Sequence, residues 1–417
     1  MSTPTILPPL HIATAGSVDD GKSTLIGRLL HDTKTVFEDQ LAAVERASRR
    51  LGEDGVNLAL VTDGLRAERE QGITIDVAHR YFATPRRNFV VADTPGHAQY
   101  TRNMVTGAST AEVAVVLVDA RAGMVAQTRR HAFIAALLGV HAIALAINKM
   151  DLVDWDEGVF DRITKEVTDY VAALPTPVPV VPFPISALNG DNVVERSSSS
   201  PWFTGVSLLD WLESVDARAA VHDGAARLDV QRVLRAPSSD FRGYAGRLAD
   251  GTLAVGDPVW IAPSGQTSTV AGLQRLGRDI DVARPSEAIT VVLADAIDVA
   301  RGDVITTGDA AVSEQVTGEL CWMVDTPLRT GTRLWFKHGT RTGRATLDEV
   351  RYVHDVDTLD KRVTPEVGLN DLASVRVSFS EPVVAAPYAH SRVAGRLILV
   401  DEATNVTAGA LVVTEVG

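Results

Sequence analysis

The first half of the chain alternates apolar runs with segments of helical periodicity, such as Lys22–Leu30 and Gln127–Leu138. The apolar runs have the length of strands that are buried on both faces. They are Ile12–Ala15, Phe89–Ala92, Val113–Val118, Ala142–Ile147 and Val178–Ile185. Alternation of this kind predicts an α/β domain, in which helices cover both faces of a mostly parallel sheet.

After about Arg227 the pattern changes to short segments rich in Val, Ile, Leu and Thr, separated by Gly, Asp and Pro turns. Such a pattern predicts an all-β structure, most simply β-barrels. Because roughly 190 residues are too many for one small barrel, we expect two of them. With a linker near Ser214–Ala226 and a break near Gly308–Glu314, the predicted domains are 1–215, 226–309 and 313–417.

Composition narrows the classes of function. The 417 residues carry a formal net charge of −13, which disfavours broad binding to nucleic acid. The lone cysteine, Cys321, excludes an internal disulfide framework and a cysteine-based zinc site. No apolar stretch reaches the roughly 20 residues of a membrane span, and Met1–Leu10 lacks the pattern of a secretory signal. We therefore expect a cytoplasmic protein without a membrane or nucleic-acid partner.

The segment after the first predicted strand fits the phosphate-binding pattern G-x-x-x-x-G-K-[ST]. Its residues are Gly16, Ser17, Val18, Asp19, Asp20, Gly21, Lys22 and Ser23. The alternative, a Gly-rich turn with a solvated lysine, suits the strand–loop–helix context poorly. In the functional interpretation, backbone N–H groups cradle a phosphate, Lys22 bridges the β- and γ-phosphates, and Ser23 binds Mg²⁺.

A second group of residues is predicted to sense the γ-phosphate. Asp93 ends a strand and suits Mg²⁺ coordination through water, while the Gly96 N–H suits contact with the γ-phosphate. Thr74 is a further candidate Mg²⁺ ligand, and His97 is positioned to orient the attacking water. Taken singly, a strand-end aspartate is more often a turn former and a histidine more often structural. The neighbouring phosphate loop favours the catalytic interpretation.

A third group predicts the choice of base. Asn148, Lys149 and Asp151 follow a buried strand, and the Asp151 carboxylate suits the two hydrogen-bond donors of guanine. Adenine offers no donor there, so the order of motifs indicates GTP rather than ATP. The next strand ends in residues whose backbone N–H suits guanine O6, namely Ser186, Ala187 and Leu188.

These motifs resemble those of the translation-factor GTPases, in which a GTPase domain precedes two β-barrels. Within that group, the chain is most similar to the GTPase subunits of two-subunit bacterial sulfate adenylyltransferases. The similarity extends over essentially the whole chain and includes Gly16–Leu25, which adds Thr24 to the nucleotide contacts, and Asp63–Asp76. Elongation factors usually carry His in place of Asp20 and Arg in place of Gln71.

The resemblance implies a function beyond GTP hydrolysis. Such a subunit partners a smaller catalytic subunit that joins ATP and sulfate into adenosine 5′-phosphosulfate, and GTP hydrolysis drives this uphill reaction. A fused adenylylsulfate kinase, present in some relatives, is not expected, because the sequence has no second phosphate loop. Two alternatives remain at this point, an elongation factor that delivers aminoacyl-tRNA and a nucleotide-dependent scaffold without catalysis. The elongation factor is disfavoured by the residues at Asp20 and Gln71 and by the negative net charge of the chain.

Overall fold

The computed structural model of the chain describes residues 7–35, 44, 58, 77–96, 101–216, 224–235 and 241–417. Its contacts divide it into two compact units. The first contains Met1–Arg218 with Val356–Leu359, and the second contains Ala219–Asp355 with Asp360–Gly417.

The first unit is built on a six-stranded sheet in the order β2-β3-β1-β4-β5-β6. Its strands are β1 (Leu7–Ala15), β2 (Ala78–Ala83), β3 (Arg87–Asp93), β4 (Val113–Asp119), β5 (Ala142–Asn148) and β6 (Val180–Pro184). Only the edge strand β2 pairs antiparallel among these six; the other pairings are parallel. The predicted mostly parallel sheet is therefore confirmed.

Helices connect these strands in the described part of the chain. They are α1 (Lys22–Asp32), α2 (Thr101–Ala108), α3 (Ala126–Leu137), α4 (Glu157–Ala172) and α5 (Leu208–Ser214), with a 3₁₀ turn at Met150–Val153. Side chains cap two of them, because Asp156 accepts from the Val159 N–H and Ser207 from the Asp210 N–H. No helix in the described ranges is long and apolar enough to cross a membrane.

Strands β4 and β5 explain why the apolar runs predicted this sheet. Every residue of both strands is buried, because helices cover both faces. Strand β1 lies between β3 and β4, so the chain leaves the sheet in opposite directions on either side of it. In open α/β sheets, such a switch point at the carboxyl ends of the strands is where ligands bind.

The second unit contains two closed barrels, as predicted. In the first barrel, β7 to β15 are Arg227–Arg235, Arg242–Asp250, Leu253–Ala254, Pro258–Ala262, Gln266–Arg275, Arg278–Ile280, Val282–Ala283, Ala288–Leu293 and Val304–Thr306. In the second barrel, β16 to β24 are Val312–Trp322, Leu328–Arg329, Arg333–His338, Arg341–His354, Lys361–Arg362, Glu366–Val367, Leu372–Val384, Arg396–Val400 and Thr407–Val416. Six strands close each ring, through the β10–β11 and β18–β19 pairings respectively.

Each barrel has its own apolar core, which alternation along the strands supplies. In β14, for example, Ile289, Val291 and Leu293 point inward, and the residues between them are more exposed. The two barrels also contact each other within this unit. The buried Arg227 guanidinium donates to the Val384 carbonyl at 3.0 Å.

Candidate functional site

The predicted phosphate loop lies at the carboxyl end of β1 and runs directly into α1. Gly21 caps the helix with φ of 92°, a conformation that glycine adopts without strain. The loop also passes close to the end of β5, because a Cβ on Gly21 would lie only 2.4 Å from the Asn148 Nδ2. Glycine is therefore required here by both conformation and space.

Lys22 points back into this loop. Its ammonium donates to the Gly16 and Ser17 carbonyls at 2.8 and 2.7 Å, and the side chain is buried. Burial lowers the pKa of Lys22, while the carboxylates of Asp20 and Asp93 oppose that shift. The loop thus holds a buried cation at the N-terminus of α1, a position that favours an anionic ligand.

The Asp93 segment lies against the same loop. In the parallel pairing of β1 and β3, Asp93 is opposite Thr14, so its buried carboxylate lies beside the start of the loop. A Cβ on Gly96 would lie 2.4 Å from the Lys22 Nζ and 2.7 Å from the Gly16 carbonyl oxygen. Gly96 therefore reaches the phosphate loop because it lacks a side chain.

Asn148 connects the phosphate loop to the loop after β6. Its Nδ2 donates to the Asp20 carbonyl at 2.8 Å, and its Oδ1 accepts from the Ala187 N–H at 2.9 Å. The side chain is 2% exposed. One amide group therefore holds two loops that are more than a hundred residues apart in the chain.

Lys149 extends this connection on the outer side of the site. It adopts φ of 62°, and its ammonium donates to the Asp19 carbonyl at 2.6 Å. Asp151 is half-buried in the following 3₁₀ turn. Among the described residues, no donor forms a hydrogen bond with its carboxylate, so both oxygens are available to a ligand.

The Ser186–Leu188 segment follows β6 and is held from two sides. The buried Ser186 accepts from the Asn189 N–H at 3.3 Å. From α1, the Arg28 guanidinium donates to the carbonyls of Ala187 and Leu188. These bonds tie the segment to α1, the helix that follows the phosphate loop.

The structure reveals two functional candidates that the sequence reasoning missed. The first is Asp119, at the end of β4 and opposite Asn148 in the register. Its carboxylate pairs with Lys149 at 2.9 Å and with the Arg121 guanidinium at 2.6 Å. Burial opposes ionisation, but the hydrogen bonds from Arg121 and Lys149 hold the pKa of Asp119 well below its usual value. The sequence did contain a signal for Asp119, because this residue follows an apolar run directly, as Asp93 does.

The second is His131 on α3, a residue that lies outside every motif of the predicted nucleotide site. The Gly16 N–H donates to its Nδ1 at 3.1 Å, so the ring is neutral with its proton on Nε2. Burial, with the nearby charges of Lys22 and Arg130, lowers the pKa of His131 to about 3. A neutral histidine thus supports the first glycine of the phosphate loop, although nothing in the local sequence distinguishes it from a core residue.

The sequence-predicted residues fall into two sets. Thr74 and His97 lie outside the described residues. The others converge on the carboxyl edge of the sheet, and they are Gly16, Ser17, Val18, Asp19, Asp20, Gly21, Lys22, Ser23, Thr24, Asp93, Gly96, Asn148, Lys149, Asp151, Ser186, Ala187 and Leu188.

Comparison with known families identifies this arrangement. Residues 8–222 match the elongation factor Tu GTP binding domain, and residues 315–414 match a family described as GTP-eEF1A C-terminal domain-like. A relative named sulfate adenylyltransferase subunit 1, from Methylorubrum populi, is 49% identical over 96% of this chain and 85% of its own length. A relative of the same name from Tolumonas auensis is 48% identical over 97% of this chain and 86% of its own.

The chain belongs to the sulfate adenylyltransferase subunit 1 family. Within it, the first unit is a GTPase domain of the elongation factor Tu type, which binds GTP. A crystal structure of Sup35 complexed with GDP is a more distant likeness, with 22% identity and a TM-score of 0.45 over 98% of this chain and 94% of that one.

The neutral state of His131 makes a testable prediction about pH. The unfolded chain protonates this ring near pH 6.5, whereas the folded chain does so near pH 3. Below pH 6.5 the unfolded state therefore binds the extra proton, and folding stability falls by about 1.4 kcal/mol per pH unit. The substitution His131→Asn keeps an acceptor oxygen but removes the titration. Between pH 7.5 and 5.5, the parent should lose about 1.4 kcal/mol more unfolding free energy than this variant in urea titrations. If the unfolding free energies of the two proteins change equally with pH, His131 is not held neutral in the folded chain.

Proposed function

We propose that the chain binds GTP with Mg²⁺ at the carboxyl edge of the sheet. In this proposal, it hydrolyses GTP there and couples hydrolysis to formation of adenosine 5′-phosphosulfate by a partner subunit. The observation that carries the GTP site is the Asn148 amide, which holds the phosphate loop and the Ala187 segment together at 2.8 and 2.9 Å. Because these loops meet, one nucleotide can contact the phosphate-binding and base-reading residues together.

Guanine selectivity is assigned to Asp151. The residue is half-buried, and the side chain of Lys149, two residues earlier, reaches the phosphate loop at the Asp19 carbonyl. Two acceptor oxygens match the N1–H and the N2 amino group of guanine, whereas adenine would leave them without donors. The Ala187 N–H is engaged by Asn148 in this structure, so a contact with guanine O6 requires that hydrogen bond to be shared.

The residues at the phosphate end fit Mg²⁺. Ser23 stands at the first turn of α1, and Asp93 brings a buried carboxylate to the adjacent strand end. A hydroxyl and a carboxylate are hard oxygen ligands, which Mg²⁺ prefers. We assign Thr74 as a third ligand, and the bound ion would neutralise charge on the phosphates. His97 is assigned to orientation of the attacking water.

The partner is proposed from the family. Both relatives carry the name subunit 1, which implies a second subunit in the complex. We infer that this partner is a smaller catalytic subunit that binds ATP and sulfate. Delivery of aminoacyl-tRNA is the weaker alternative, since near-full-length relatives at 48–49% identity carry the adenylyltransferase name. The net charge of −13 also disfavours a nucleic-acid ligand.

The role of Asp151 can be tested by changing the base. An Asp151→Asn substitution replaces one acceptor oxygen with a donor, which matches the O2 of xanthine instead of the guanine amino group. The ratio of GTP to XTP affinity should fall by about 10²-fold or more in calorimetric titrations. Asp154→Asn, a neighbouring exposed position, serves as the control and should leave the ratio unchanged. If Asp151→Asn retains the parent's preference for GTP, this residue does not read the base.

Coupling can be tested with the assembled complex. The chain is co-purified with the small subunit of sulfate adenylyltransferase, and sulfate-dependent pyrophosphate release is measured with GTP, GDP or a non-hydrolysable GTP analogue. Only GTP should raise the yield of adenosine 5′-phosphosulfate above its basal level. In the control, Lys22→Ala removes the cation at the phosphates and should abolish the GTP response. Equal yields with GTP and GDP in the parent complex would refute the coupling.

A further inference from the structure

A carboxylate is buried inside the phosphate loop itself. Asp20 is 7% exposed, and its Oδ2 accepts from the Ser17 N–H at 2.5 Å. The same oxygen lies over the start of the loop, since a Cβ on Gly16 would be 3.2 Å from it. The side chain therefore links the second half of the loop, at Asp20, to its first half, at Ser17.

The charge of this carboxylate is only partly compensated. Its single hydrogen bond comes from Ser17, and it forms no ion pair with another described residue. The nearby ammonium of Lys22 is turned toward the Gly16 and Ser17 carbonyls. Burial raises the pKa of Asp20, and the Ser17 hydrogen bond and Lys22 oppose the shift. A buried carboxylate with so few partners costs free energy that a neutral side chain would not.

A bound nucleotide adds to this cost. The proposed function places two or three phosphates against the backbone of the loop that Asp20 braces, and their negative charge repels a neighbouring carboxylate. Lys22 has to serve both the phosphates and the Asp20 side chain. The repulsion acts on the bound state and disappears when the nucleotide leaves, so it favours release.

We propose that Asp20 is a positioning residue that sets the rate of nucleotide release, by placing an only partly compensated negative charge inside the phosphate loop. This inference rests on the proposed GTP site and adds a control of exchange to it. The brace to Ser17 keeps the loop formed, while the charge limits how long GDP stays bound. A chain built in this way exchanges GDP for GTP faster than one with a neutral residue at this position.

The two effects of Asp20 can be separated by substitution. Asp20→Asn keeps an acceptor oxygen for the Ser17 N–H and removes the charge, whereas Asp20→Ala removes both. Release of a fluorescent GDP analogue is followed by stopped flow after mixing with excess GDP, using the full chain. Asp20→Asn should release the analogue about tenfold more slowly than the parent. The exposed Asp161→Asn, on α4, is the control for a charge change elsewhere in the unit and should match the parent.

Each outcome decides the question. Slower release from Asp20→Asn, with faster release from Asp20→Ala, supports both the charge and the brace. Slower release from both variants supports the charge alone, which is the proposal's core. Release from Asp20→Asn that is as fast as from the parent, or faster, overturns the proposal. If the parent itself does not bind the GDP analogue, the proposed GTP site fails instead, which is a distinguishable result.

Discussion

The amide of Asn148 is the interaction on which the rest of the site depends. A primary amide carries a donor and an acceptor on one rigid group, and here each is used by a different loop. Its Cα is fixed at the last position of β5, a strand whose residues are all buried. The buried strand β5 therefore fixes the position of the amide. Loops alone would not hold two distant segments within hydrogen-bond distance.

The charged side chains around this amide are held by hydrogen bonds to the backbone of the phosphate loop and by ion pairs. Lys22 and Lys149 both donate to carbonyls of the phosphate loop, and Asp119 holds Lys149 from the far side. Two cations thus stand beside a loop that also carries the exposed carboxylate of Asp19. Asp20 adds a buried carboxylate to the same loop. In our proposal for Asp20, this carboxylate opposes the attraction of the two cations for a phosphate ligand.

Features that depend on neighbouring residues could be predicted from the sequence, whereas contacts between residues far apart in the chain could not. The α/β alternation and the barrels were predicted because burial is visible as local periodicity, and β4 and β5 carry the clearest pattern. Edge strand β2 was missed, since only one of its six residues is buried and the strand gives no apolar run. His131 was missed because its partner, the Gly16 N–H, is 115 residues away and leaves no local signal. Motif residues were found because their spacing follows from strand–loop–helix geometry.

The central claim is that one buried amide assembles the nucleotide site, and Asn148→Ala tests it most directly. The change removes both hydrogen bonds, so the loops lose their shared support, and GDP affinity by calorimetry should fall by about 100-fold or more. Asn192→Gly is a matched control, since that buried asparagine instead binds the Pro184 carbonyl and Ser200. It should destabilise the fold to a similar degree and leave GDP affinity within about threefold. GDP affinity in Asn148→Ala equal to that of Asn192→Gly would contradict the account.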